Sequence, residues 1–292
     1  MSAAFVDRQQ VGRRFSRVAA SYNEGDFFAR EVDRRMQERL DYVTLEPKRI
    51  LDLGCSRGAS FPALSARYPD AELIGLDVSP AMLATGRPQR AGWQRWLGIG
   101  KSADPLRLAA DAAHLPLASR STALVWSNLL LHWLDDPIPA LAEAHRVLEV
   151  GGLLMFSTLG PDTLKELRSA FSDGYAHTQR FADMHDLGDM LIGCGFADPV
   201  MDMEVIILTY DDLDALFAEL RAAGSMCAMK ARRHGLTGRQ SWASAREAYE
   251  KLRRDGKLPA TFEIVYGHAW KAAPKQTPDG RAIVRFDLPR KG

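Results

Sequence analysis

The chain has 292 residues, 46% of them apolar and 26% charged, with 38 Lys+Arg against 37 Asp+Glu and a net charge of +1. This composition fits a globular core of about 200 residues carrying an insertion. A charge so near zero gives no global case for nucleic acid or membrane, leaving recognition by charge to a local patch.

No run approaches the roughly 18 apolar residues of a membrane span, and MSAAFVDRQQ lacks a signal-peptide core, so a cytoplasmic address is expected. Cys55, Cys194 and Cys227 are too few and too far apart for a disulfide framework or a thiolate metal site. His185 with Asp186 and Asp189 reads as a helix start, so no metal is expected.

In chain order, residues 6–45 have helical periodicity, with Phe15, Val18, Ala19 and Tyr22 on one face and a break at 23–26, which predicts two N-terminal helices. Short apolar β runs follow at 49–53, 73–77, 107–110, 123–127 and 152–158. They alternate with helical segments at 60–68, 80–86, 137–148 and 162–171. Such alternation predicts an α/β fold with a doubly wound, parallel sheet. A helix at 186–193 and a strand at 205–210 come next. Residues 211–255 read as almost wholly helical before strand character returns at 261–269, as a cap inserted before the last strand. The expected division is a helical lid (1–45), a Rossmann-like core (46–210), a cap (211–258), a final core strand (259–272) and a loosely attached tail (273–292). Trp93 and Trp96, in a long connection over 86–106, read as packing residues.

The turn LDLGCSRGAS after the first strand is built to hold a ligand beyond the strand ends. Asp52 closes the strand, and Gly54 and Gly58 let backbone come close. Cys55 lies between them, and Ser56 occupies a middle position at a cost of about 1 kcal/mol if its φ is positive. Asp77 ends the second strand, placed to accept hydrogen bonds from both hydroxyls of a ribose, with Val78 beside it. Asp111, with Ala112, closes the third strand and is placed to meet an adenine amino group. The spacing of Gly54 and Gly58 lacks the G-x-G-x-x-G of pyrophosphate binding. An adenosine ligand without phosphate, S-adenosylmethionine, is the better match.

The runs LDLGCSRG, LIGLDVSPAML, AADAAHLPL, ALVWSNLLLHWLDDP and AHRVLEVGGLLMFSTLG together resemble the class I, Rossmann-like S-adenosylmethionine-dependent methyltransferases. Ser56 departs from that family's glycine. The resemblance implies a seven-stranded sheet whose last strand, 261–269, is antiparallel. A narrower likeness, in FSRVAASYN, FSTLGPDTLKELRSAF, RFADMHDLGDMLIGCGF, GLTGRQSW and LPATFEIVYGHAWK, is to the malonyl-acyl-carrier-protein O-methyltransferases of biotin synthesis. That likeness implies conversion of the free carboxylate of a malonyl thioester, carried on acyl carrier protein or coenzyme A, to its methyl ester. DTLKEL and PATFEIVYGHAWK are also similar to a relative that hydroxylates an arginine during assembly of respiratory complex I, the alternative reading. A different small-molecule methyltransferase is a further one.

A carboxylate acceptor, with a free pKa of about 4, is already ionised and needs no general base. It needs positioning, by an Arg fork or neutral donors. Candidates are Arg14 and Arg17 with Tyr22 near the N-terminus, His132 and Trp133 after the fourth strand, and Arg239 in the cap. Asn128 is placed to meet the amino-acid part of the cofactor. The basic run Lys230, Arg232, Arg233, His234 and Arg239 suits an acidic acyl carrier protein as partner. Its aromatics do not interleave with the basic residues as nucleic-acid stacking requires.

Overall fold

The computed structural model of the protein describes residues 5–86 and 105–273. The runs RILDL, ELIGLD and TALVWS become β1 (Arg49–Leu53), β2 (Glu72–Asp77) and β4 (Thr122–Ser127), nearly continuous apolar segments buried on both faces, as interior parallel strands require. With β3 (Leu106–Ala109), β5 (Leu148–Leu159), β6 (Ala197–Tyr210) and β7 (Leu258–Trp270) they form one seven-stranded sheet in the order β3-β2-β1-β4-β5-β7-β6. The first five strands are parallel, and β7 runs antiparallel between β5 and β6. Chain order reverses between β1 and β4, which opens a crevice beyond their carboxyl ends.

Helices cover both faces. On one lie α3 (Phe27–Arg39), α4 (Phe61–Arg67), α7 (Lys165–Ala170), α9 (Leu213–Ala222) and α10 (Arg239–Glu250), around Met36, Leu64, Trp126 and Tyr249. On the other, α6 (Ile138–Val147) and α8 (Met184–Gly193) pack Leu141, Leu187 and Leu191 against Leu51 and Val125. Burying each such side chain contributes about 1.5–3 kcal/mol. After β2, α5 (Pro80–Thr85) starts where Ser79 accepts the Met82 N–H and Pro80 sets the first turn. At α8, Asp183 rather than His185 caps the helix, accepting the His185 N–H at 2.8 Å.

Three expectations need correction. The N-terminal segment forms α1 (Arg8–Val18), a single-turn α2 (Tyr22–Gly25) and then α3, so the expected break at 23–26 is itself mostly helical. Residues 211–255 are helical only in α9 and α10. The stretch between them turns at Gly224, with φ +68°, and pairs Met229 with Val6 of the N-terminal segment. Strand β6 begins at Ala197, eight residues before the expected start. It is an edge strand whose residues alternate between partly buried and solvated, and Asp198, Asp202 and Glu204 hide it in sequence. The 87–104 part of the long connection, with Trp93 and Trp96, and the tail from 274 lie outside the described residues. Among the described residues no helix is long and apolar enough to cross a membrane, and no His/Cys/Asp/Glu group is arranged to hold a metal.

Candidate functional site

The turn after β1 carries three positive φ values: +79° at Gly54, +51° at Ser56 and +84° at Gly58. Ser56 is therefore strained, at about 1–2 kcal/mol for a residue with a Cβ. The Ser56 N–H donates to Asp77 Oδ2 at 2.9 Å, and Asp77 Oδ1 accepts from the Ser79 N–H at 2.7 Å. The second-strand carboxylate thus staples two ligand-facing turns together. Gly58 is not among the residues that line the cavity beyond the strand ends. A Cβ there would lie 2.4 Å from the Phe61 ring, so this glycine, expected among the cofactor residues, instead lets α4 pack against the turn.

Beyond the strand ends lies a cavity of about 220 Å³ lined by Asp52, Gly54, Cys55, Ser56, Asp77, Val78, Asp111, Ala112 and Asn128, the remaining residues expected to meet the cofactor. Burial pushes the Asp77 carboxyl up from its ordinary value, while the Ser79 and Ser56 N–H bonds pull it back. Asp52 is only 1% exposed, and its Oδ2 has no hydrogen-bond partner. Burial drives its acid well above the usual carboxylate range, with Asp33 and Asp77 adding to the shift. Burial and Asp52 likewise push the Cys55 thiol up, which leaves it inert. Asp111 is paired with Arg8 of α1, a cavity-lining cation with no distinguishing signal in the sequence. The Asn128 amide is held on both sides, donating to Ala29 O at 2.8 Å and accepting from Ser157 Oγ at 2.7 Å, so it ties β4 to α3.

The opposite wall is aromatic. Phe15 meets Trp133 edge-on at 5.2 Å and Tyr22 at 6.3 Å, and His132 lies 5.1 Å from Trp133. All four line the cavity, so Tyr22, His132 and Trp133 come together as expected and Phe15 joins them. Tyr22 is pushed up to about 12, chiefly by burial and then by Asp26, and remains a neutral phenol. Burial drops His132 to about 3, so its imidazole is neutral; Nδ1 sits 3.3 Å from Thr158 Oγ1. Thr178, Gln179 and Phe181 complete this wall; Phe181 stands near the start of the run RFADMHDLGDMLIGCGF, while Thr178 and Gln179 lie just before it in a segment without periodicity.

The expected arginines divide differently. Arg239 is exposed at the start of α10 and does not line the cavity. Arg17 is exposed, and Arg14 donates to the Met226 carbonyl without lining the cavity. In the basic run, Arg232 turns inward to Asp7 at 3.1 Å, with its side chain 15% exposed. Arg233 lies over the Tyr175 ring and 3.8 Å from Asp173. Lys230, His234 and Arg239 remain exposed.

A family described as "Methyltransferase domain" matches residues 51–156, the stretch from β1 into β5. A malonyl-[acyl-carrier protein] O-methyltransferase of Gallionella capsiferriformans is 48% identical over 287 residues, covering 98% of each chain. Another of that name from Laribacter hongkongensis is 48% identical over 289 residues, covering 97% of each. Among solved structures, a putative methyltransferase from Bacillus halodurans shares the fold at a TM-score of 0.54 and 15% identity, over 81% of this chain and 99% of that one. With β1, the glycine turn and the strand-end acids inside the matched domain, and near-identical length to relatives at this identity, the chain belongs to the malonyl-[acyl-carrier protein] O-methyltransferase family.

Proposed function

We propose that the protein transfers a methyl group from S-adenosylmethionine to the free carboxylate of a malonyl thioester on acyl carrier protein, the esterification that serves biotin synthesis. The observation that carries this reading is a cavity beyond the strand ends that meets three acids on one side and aromatic rings on the other. A sulfonium cofactor suits it: Asp52 offers a buried, unpartnered oxygen in the cavity wall, which favours a cationic ligand. In this reading Asp77 holds the ribose, Asp111 and Ala112 border the adenine, and Asp52, Gly54 and Asn128 face the amino-acid end. When bound, the cofactor supplies the electrophilic methyl group.

The chain's own part is to orient and to exclude water. An ionised carboxylate needs no base, so a neutral His132 and a protonated Tyr22 suffice as donors that steer it without sequestering both oxygens. Helices α1–α3 act as the lid and residues 211–258 as the cap, with Phe15, Tyr22 and Trp133 closing over the reacting atoms. Acidic carrier protein docks on the exposed cations of the cap, Lys230 and Arg239, while Arg232 and Arg233 hold the cap's shape. Incubation with methyl-labelled cofactor and malonyl-loaded carrier protein is expected to yield a base-labile ester. Cofactor binding without any ester on malonyl thioesters would overturn the substrate assignment.

A further inference from the structure

Beneath the cavity lies a second acid that the reaction does not require. Asp33 of α3 is 6% exposed, and its Oδ1 accepts from Ser60 Oγ at 2.8 Å and from Trp126 Nε1 at 2.9 Å. Asp52, at the end of β1, shares the Ser60 hydroxyl as neighbour, but its Oδ2 is left without any donor. Burial pushes the Asp33 carboxyl up while the two donors on its Oδ1 pull it back, whereas a buried carboxyl oxygen with no donor favours the neutral form of Asp52.

The charges around Asp52 point the same way. Asp33 faces it from α3 and Asp77 from β2, two acids that add to what burial does to its carboxyl. One cation, Arg107 of β3, opposes them least. Its guanidinium lies over the Phe61 ring and donates to the Arg57 and Gly86 carbonyls. Cys55 is next in line and stays a thiol. Around Asp33 are Ser60, Trp126 and Gln37, none of them cationic.

We propose that the empty protein carries Asp52 as a neutral acid, kept so first by its burial with no donor on Oδ2 and further by the neighbouring acids Asp33 and Asp77, and that a ligand with a cationic methionine end binds with loss of the Asp52 proton to solvent. The inference rests on the S-adenosylmethionine reading above. No bond to carbon is involved; one O–H bond breaks, the proton passes to buffer, and the carboxylate remains opposite the ligand's positive charge. Asp33 is thus a positioning residue on α3 that adds to the bias of Asp52 towards its neutral form.

The test is calorimetric titration of S-adenosylmethionine into the full chain near neutral pH, in buffers of different ionisation enthalpy. Release approaching one proton per cofactor bound is expected, with affinity rising by up to about tenfold per pH unit while Asp52 is protonated. Asp33→Asn should reduce the release, because one of the acids that add to the effect of burial on Asp52 is removed, and Asp52→Asn should abolish it. In the unaltered protein, an infrared difference spectrum should lose a protonated-carboxyl carbonyl band on saturation. Binding with buffer-independent heat, or with no such band lost, overturns the proton coupling while sparing the cofactor reading. Failure of S-adenosylmethionine to bind overturns both.

Discussion

Asp77 carries two functions in one side chain, capping the Ser56 and Ser79 N–H groups while lining the cavity. Asp77→Ala is expected to weaken S-adenosylmethionine binding tenfold or more, since each bond to a charged acceptor is worth about 1.5–3 kcal/mol, and to lower the melting temperature through the lost caps. Calorimetry with unchanged affinity would remove the ribose role. His132 makes a second prediction. Its pKa falls from 6.5 to about 3 on folding, so the folded protein refuses a proton that the unfolded chain accepts. Stability is fully present above pH 6.5 and is lost as pH falls through that window; His132→Gln should flatten this slope in thermal melts. That the strand-end acids gather at one cavity was legible because three of them follow three successive apolar runs, where a single Asp would read as a turn residue. The placement of Gly58 and Arg239 off the cavity wall was not, because whether a residue lines the cavity depends on how the neighbouring helices are placed. Asp33, in a helix otherwise rich in charge, looks solvated in sequence and is buried by the sheet.

At the scale of elements, the N-terminal segment and the segment joining α9 to α10 are one assembly. Val6 bridges to Met229, the Asp7 N–H donates to Ala228 O at 2.8 Å, and the Lys230 N–H donates to Phe5 O at 2.7 Å. Further along, α2 crosses α9 so closely that a Cβ on Gly25 would lie 2.4 Å from the Ala222 carbonyl carbon. Gly25→Ala must push these backbones apart. It is expected to cost about 1–3 kcal/mol in urea unfolding and to raise the KM for the thioester as the lid loosens. An unchanged midpoint would show that α2 yields freely. The strands β1, β2 and β4 were readable to within a residue because buried parallel strands are unbroken apolar runs. The almost wholly helical reading of 211–255 failed because residues between α9 and α10 pair with a segment more than 200 positions away, which no local pattern encodes.

Across the whole molecule, a net charge of +1 means that docking of an acidic partner depends on where a few cations stand. Lys230 and Arg239 are exposed, whereas Arg232 is spent on Asp7. Reversing Lys230 and Arg239 together to Glu is expected to slow turnover of carrier-bound substrate several-fold, most at low salt, and to spare a short free thioester. Reversing Arg232 should impair both by breaking the lid contact. Steady-state kinetics on the two substrates separates these, and equal loss from the Lys230/Arg239 pair would remove the docking role. The sequence by itself determined the α/β alternation, the turn that cradles a ligand and the acids that follow three strands, because each is fixed by local periodicity and by residues adjacent in the chain. Only the tertiary structure decided that the aromatic wall assembles from α1, α2 and the loop after β4, that Arg232 faces inward, and that Asp33 meets Asp52. Those contacts join segments far apart in the chain, and their partners are chosen by packing of the completed sheet.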